Sequence, residues 1–263
     1  MSTNANPVRS ALEEARTALR AGDAVRAERH YQAALHAEGG NVQVLYEASM
    51  VNAQLGRFEP ALALAERALA VDPRTAQLHF HRAEVLAALR RPESAIEAYQ
   101  QALAIDPGHV PALNNLADSL NAMGRAAEAL PLLERALALK PDYAPALNNR
   151  AYALQALGRL EEALRGFNAA LAASPGNPDI LSNRASALLS LKRNEEAEAD
   201  CRQALAIDPR NVGALFSLGK AQARQGQPAA ALSSFDAVLA LRPQHAGAWC
   251  DRGGVLATLR RYR

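Results

Sequence analysis

The sequence predicts an all-α protein, a right-handed α-solenoid superhelix of stacked helical hairpins, and three observations carry that expectation. Gly39, Pro73, Pro107, Pro141, Pro175, Pro209 and Pro243 recur every 34 residues with no insertion or deletion between them. Self-similarity of that length marks a two-helix unit that cannot bury its apolar face alone and so stacks on its neighbours. Three columns of the repeat are small: Ala15, Ser49, Ala83, Ala117, Ala151, Ala185, Gly219 and Gly253; then Ala27, Ala61, Ala95, Ala129, Ala163, Ala197 and Ala231; then Ala34, Ala68, Ala102, Ala136, Ala170, Ala204 and Val238. Small side chains let helix backbones approach closely where ridges enter grooves. Finally, aromatics are only 5% of the chain while apolar residues, many of them alanine, reach 49%, which suits close helix stacking better than one large core.

Each unit reads from its start. The first helix closes at a mid-unit glycine, Gly22, Gly56, Gly124, Gly158 or Gly226, where the left-handed conformation costs little. Arg90, Lys192 and Arg260 stand in that column elsewhere, so strain is expected at those turns. The second helix holds the last two small columns, with larger residues between them: Tyr31, Ala65, Tyr99, Leu133, Phe167, Cys201 and Phe235. An unbroken leucine column follows, Leu35, Leu69, Leu103, Leu137, Leu171, Leu205 and Leu239. The prolines then end the helix for want of an N–H, and Asn177 with Pro178 reads as an N-cap and first-turn proline of the next unit. The expected units are 8–41, 42–75, 76–109, 110–143, 144–177, 178–211 and 212–245 with a truncated eighth over 246–263, fifteen helices in all and no strand. Residues 1–7 are polar and predict a disordered tail. The first unit departs most from the pattern, with Ala11, Ala18 and Gly39 where the others carry larger apolar residues or proline.

These columns, a small residue in the first helix, a glycine turn, a small-aromatic-small pattern in the second helix and then proline, resemble the tetratricopeptide repeat family over nearly the whole chain. The resemblance implies a solenoid whose first helices line a concave groove. Along that face, residues at i, i+3, i+4 and i+7 are Pro111, Asn114, Asn115 and Asp118 in the fourth unit. In the fifth they are Pro145, Asn148, Asn149 and Tyr152, and in the sixth Asp179, Ser182, Asn183 and Ser186. Asn115, Asn149 and Asn183 thus fall in one column, and an amide, donor and acceptor at once, pairs with the backbone of an extended peptide whatever its sequence. With first helices about 10 Å apart and an extended chain advancing about 3.3 Å per residue, one asparagine meets roughly every third ligand residue. The column resembles the asparagine ladder in the repeat domain of O-linked N-acetylglucosamine transferases, where such asparagines hold the polypeptide substrate. Glu13, Glu47, His81, Ser217 and Asp251 fill the same column elsewhere.

Tyr46, Phe80 and Phe216 occupy the neighbouring groove column, either as exposed rings for apolar ligand groups or packed on an adjacent helix. Arg82, Arg150, Arg184 and Arg252 stand where the motif usually has leucine, and a structural role covering the helix interface is expected of them. Repeats that clamp a carboxylate need lysine or arginine in the column of Tyr46, Phe80, Asn114 and Asn148, and none is present. That partner class is disfavoured.

Chemistry is absent from the motifs. There is no Gly-rich phosphate loop, HExxH or GxSxG, and no clustered His, Cys and carboxylate set. No catalytic residue, metal or cofactor is therefore expected. His79 and His81, two apart on a helix, point to different faces, and Cys201 lies in the larger column far from Cys250. A net charge of +2 supplies no field for nucleic acid, no run approaches a membrane span, and the start carries no secretory segment. A cytoplasmic location is the default, and three lysines among 29 basic residues suggest a GC-rich bacterial genome. Two functions fit: a scaffold that binds an extended peptide or partner segment, or the substrate-recognition part of a larger enzyme, a glycosyltransferase of the type just named. Trp249, Gly253, Leu256 and Leu259 repeat a first-helix core pattern with no second helix after them. This predicts either a longer reading frame or self-association through the helix at 246–259.

Overall fold

The computed structural model describes residues 7–261, so the expected tail, apart from Pro7, lies outside the described residues. Among them are fifteen α-helices and no strand. In chain order these are α1 (Pro7–Arg20), α2 (Ala24–Ala37), α3 (Val42–Gln54), α4 (Phe58–Val71), α5 (Ala76–Ala88), α6 (Pro92–Ile105), α7 (Val110–Ala122) and α8 (Ala126–Leu139). They continue with α9 (Ala144–Ala156), α10 (Leu160–Ala173), α11 (Pro178–Ser190), α12 (Asn194–Ile207), α13 (Val212–Arg224), α14 (Pro228–Leu241) and α15 (Ala246–Arg261). By compactness the chain divides into residues 1–120 and 121–263. In the first unit α1 packs on α2, α3 on α4 and α5 on α6, and α2 also packs on α3 and α4 on α5. The second unit repeats the arrangement with α9 on α10, α11 on α12 and α13 on α14, and α15 packs on α14.

The small columns are where backbones meet. Every alanine in the three columns, from Ala15 to Ala231, has 0% exposure. The larger column fills the space beside them, with Tyr31, Tyr99, Leu133, Phe167, Cys201 and Phe235 all buried. Sizes are matched locally. A Cβ added at Gly219 would stand 2.6 Å from the Phe235 ring, and one at Gly166 would stand 2.9 Å from the Ala151 Cβ. Glycine thus makes room for the Phe235 ring at one position of the unit and for the close approach of Ala151 at another.

The mid-unit turns have the hydrogen bonds of a helix closed by a left-handed residue. Arg57 N–H reaches back to Asn52 O at 2.8 Å past Gly56, whose φ is +73°. Arg90 and Lys192 take the same conformation, φ 59° and 62°, as strained as the sequence implied. Arg260 differs: α15 runs through it to Arg261, since arginine is a good helix former when no turn is imposed. Several first helices begin on side-chain caps, though α5 and α9 do not. Asn177 Oδ1 accepts from the N–H groups of Asp179 and Ile180, and His109 and His245 do the same through Nδ1, accepting from Ala112 and Ala248 at 3.1 and 3.0 Å.

The arginine column works as a set of staples between neighbouring helices. Arg184 grips Asp200 on α12 with two bonds of 2.7 and 2.6 Å and Asn168 on α10 with a third of 2.8 Å. Arg252 holds Asp236 on α14 at 2.6 Å, and Arg82 approaches Glu66 on α4 at 3.7 Å. Among the described residues no helix is long and apolar enough to cross a membrane.

Two stability predictions follow from these geometries. Gly219→Ala and Gly166→Ala should each lower unfolding stability by about 1–3 kcal/mol in urea titrations through overpacking, despite alanine's better helix propensity. Arg90→Gly and Lys192→Gly should each raise it by about 1 kcal/mol by relieving the left-handed backbone, and a loss in either would show that the side chain holds its turn.

Candidate functional site

The side chains at i, i+3, i+4 and i+7 of the first helices form one continuous face within each compact unit. In the first unit hydrogen bonds cross that face from helix to helix. His109 Nδ1 is taken by its cap, so Nε2 carries the proton and donates to Gln77 Oε1 at 3.3 Å, and Gln77 Nε2 donates to the Tyr46 hydroxyl at 3.1 Å. Phe80 lies beneath, 8% exposed, against His109 and Tyr99 at ring distances of 4.8 and 5.9 Å. Of the rings expected as possible ligand contacts Phe80 is therefore closed off. Tyr46 is half-buried, edge-on to His81 at 5.3 Å.

Asn114 is 5% exposed and donates to Asn115 Oδ1 at 3.0 Å. The Asn115 amide in turn bonds the Tyr99 hydroxyl, which burial and the nearby carboxylates push up to about 12. Asp118 is exposed at the end of this row. Flanking protein strips water from it and from Glu84, and both carboxyls are raised above their ordinary values.

Two polar clusters in this unit were not anticipated. Glu47 accepts from Arg16 at 2.6 and 3.0 Å, from Tyr31 at 2.8 Å and from Gln43 at 2.8 Å, tying α1, α2 and α3 together. Burial alone would raise its carboxyl, but the bonds from Arg16, Gln43 and Tyr31 outweigh that and hold it below the usual range. His81, 6% exposed, meets Ser49 Oγ at 2.8 Å. The Ser49 proton goes to Ala61 O at 2.6 Å, so His81 Nε2 is the donor. Burial depresses its pKa to about 4. His79, two residues away, donates to Pro73 O instead, and the two rings share no site. The spacing i, i+3, i+4, i+7 places Gln43, Glu47, Gln77, His81 and Glu84 on this face when it is applied to the second and third repeats.

In the second unit the amides join one another. Asn148 donates to Asn149 Oδ1 at 3.2 Å, and Asn183 on α11 donates to Asn148 Oδ1 on α9 at 3.0 Å. All three are half-buried. Asn183 thereby spends one N–H and keeps its carbonyl and second N–H. Gln155 bridges to Ser186 at 3.1 Å along the same helices. Tyr152 stands beside the amides, 45% exposed. Ser182, at 7%, is covered by α13, where a Cβ on Gly213 would fall 2.6 Å from its Oγ, so it offers no surface. Phe216 is half-buried against Phe235 and His245 with the Lys220 ammonium 5.4 Å from its ring centre.

Cys201 is buried, its thiol pushed up to about 12 by burial and neighbouring carboxylates, and Cys250 is exposed. Among the described residues no three His, Cys, Asp or Glu side chains gather as metal ligands. Side chains arranged in this way can hold a chain by amides, rings and charge. The class is a helical-repeat fold with polar and aromatic first-helix faces.

Family models described as tetratricopeptide repeat match residues 12–64, 53–110 and 216–262, and further such models match 98–130, 120–180 and 178–211. The chain belongs to the tetratricopeptide repeat family. No curated protein sequence matches significantly. Among solved structures, a tetratricopeptide repeat protein from Parabacteroides merdae ATCC 43184 superposes with a TM-score of 0.80 at 19% identity, over 96% of this chain and 100% of that one. The Cut9–Hcn1 hetero-tetramer of APC/C gives 0.81 at 14% identity, covering 97% of this chain and 49% of its own. YrrB, described as having an unusual peptide-binding site, gives 0.55 at 23% identity over 70% and 95%. At these identities the likeness concerns the fold.

The neutral burial of His81 sets an acid limit on the first unit. Its folded pKa lies below the unfolded value of 6.5, so the unfolded chain binds the proton first. The stability is fully present above pH 6.5 and is lost as pH falls toward 4. The loss should reach about 3 kcal/mol at 1.36 kcal/mol per unit, measured by chemical denaturation at a series of pH values. His81→Asn, the residue found in this column at Asn115, should flatten the profile over that window. An unchanged slope would remove His81 as its source.

Proposed function

We propose that the protein is an interaction scaffold whose first-helix faces hold extended segments of partner proteins. The observation that carries this reading is the row of half-buried amides on α9 and α11, Asn148, Asn149 and Asn183, set beside the exposed ring of Tyr152. Amides already oriented by one another lose little freedom on binding, and the unspent donor and acceptor of Asn183 match a peptide backbone regardless of sequence. Tyr152 contributes a rigid apolar contact next to them. In the first unit Asn115 and Asp118 offer like chemistry on α7, with Tyr46 as an accompanying ring, and Phe216 is the accompanying ring of the second unit; Asn114, like Ser182, is buried and offers no surface. No step of catalysis is assigned to these residues.

A pull-down from lysate followed by mass spectrometry identifies the segment, and calorimetric titration of the synthetic peptide measures it. Replacing Asn115, Asn149 and Asn183 together by Ala should weaken binding by about 0.5–1.5 kcal/mol per lost contact, with the helical circular dichroism unchanged. Unaltered affinity in a folded triple variant would remove these amides from the binding face.

A further inference from the structure

Successive first helices of the second unit are not filled alike where they face one another. Three columns run up α13 as Phe216, Lys220 and Arg224 and recur on α15 as Cys250, Gly254 and Thr258. A ring and two long cationic side chains thus give way to a thiol, a bare backbone and a hydroxyl. The space is left open. A cavity of about 620 Å³ lies between α13 and α15 with Ala223, Val255 and Leu259 as its apolar floor, and a Cβ added at Gly254 would meet nothing within 4 Å. Ligand pockets typically measure about 300–1,000 Å³ and are mostly apolar with a few placed polar groups.

The polar groups of the cavity are held in place and mostly of one sign. On α13 the Lys220 ammonium rests over the Phe216 ring at 5.4 Å, and Arg224 is anchored by one guanidinium nitrogen, which donates to Leu189 O at 2.5 Å. Asp251 on α15 is the one carboxylate of the lining among the described residues, and no ion pair among them reaches it or either cation. Lys220 is half-buried and stands in the column of Tyr152 and Ser186, so the cavity opens on the same first-helix face as the amides of α9 and α11. Both cations lie beyond the column in which a carboxylate clamp needs one, by one turn and by two turns from Phe216.

We propose that this cavity seats a large apolar side chain of a partner segment, aromatic or long aliphatic, beside an aspartate or glutamate of the same segment that pairs with Lys220 and Arg224. The cations line the cavity itself, and an extended chain advances about 3.3 Å per residue, so the acid falls within about two positions of the apolar anchor. Charge sets the sign of the preference: two cations against one carboxylate favour an acidic neighbour and disfavour a basic one. Asp251 on the opposite wall accepts a backbone N–H of the segment. Because a ring already holds Lys220 and a carbonyl already holds Arg224, the two side chains lose less freedom on binding. This inference rests on the scaffold reading above and adds to it the chemistry of the ligand.

The test uses the full chain and a phage-displayed library of random twelve-residue peptides, with Gly254→Leu as the second protein for comparison. Leucine occupies the open space and is the better helix former, so this variant should melt at or above the temperature of the native chain. Peptides that prefer the native protein should share a large apolar residue with Asp or Glu within about two positions of it. In calorimetric titration such a peptide should bind roughly tenfold more weakly to Lys220→Gln and to Arg224→Gln, as expected for a lost charged hydrogen bond. It should also slow the reaction of exposed Cys250 with a maleimide, for which buried Cys201 does not compete. A lowered melting temperature of Gly254→Leu, peptides that bind both proteins equally, a shared motif without an acid, or a Cys250 left unprotected would each overturn this inference and leave the scaffold reading standing. Recovery of no peptide on either protein would remove both.

Discussion

Backbone contact through alanine is the constraint from which the rest of the structure follows. A helix pair held by Cβ-only side chains at three columns has little freedom to slide or rotate, because the ridges that interlock are the backbones themselves. Everything larger must fit around that contact. Phe235 is admitted because Gly219 gives up a Cβ, and Ala151 comes close to its partner helix because Gly166 does the same. Ser49 spends its proton on Ala61 O across the hairpin, and its hydroxyl serves as acceptor to His81. The hairpin is therefore a fixed frame with compensating choices inside it, and fixed frames stack with a fixed register.

Polar groups close the remaining gaps between frames. The arginines at 184 and 252 take the place of a leucine, Arg184 reaching α10 and α12 and Arg252 reaching α14, so their aliphatic stems pack while their heads find carboxylates. Glu47 does the reverse, a buried acid that draws Arg16, Tyr31 and Gln43 inward from three helices. Neither device adds much apolar area. Both restrict which hairpin can follow which, since a carboxylate without its arginine would be left partly dehydrated.

The period and the small columns were enough to place all fifteen helices, because closely packed repeats tolerate no insertion within the helix pair. The strained turns at Arg90 and Lys192 were equally visible, as departures from a glycine column. What escaped was the fate of individual face residues. Phe80 and Phe216 share a column and meet equivalent rings at nearly the same distances, Tyr99 and His109 in one case and Phe235 and His245 in the other, yet Phe80 is buried whereas Phe216 stays half-open beside Lys220. Burial there depends on residues from adjoining helices, which a column read one position at a time does not combine. The amides show the same gap. Aligned asparagines suggested independent rungs, whereas Asn148 links Asn149 to Asn183, and a side-chain bond across a helix interface leaves no periodic trace.

The histidine caps carry a consequence of another kind. A cap through Nδ1 fixes the tautomer of His109 and His245 and leaves Nε2 as the outward nitrogen of each ring. Asparagine in the same column holds its helix equally well but presents nothing comparable beyond it. Two of the first helices thus begin with a flat heteroaromatic tile laid on phenylalanine, Phe80 in one case and Phe216 in the other. In spectroscopic terms these are built-in reporters: each imidazole lies 4.8 Å from a phenylalanine ring and tilted across it, so the opening of either helix start would change the ring current that its imidazole signals feel.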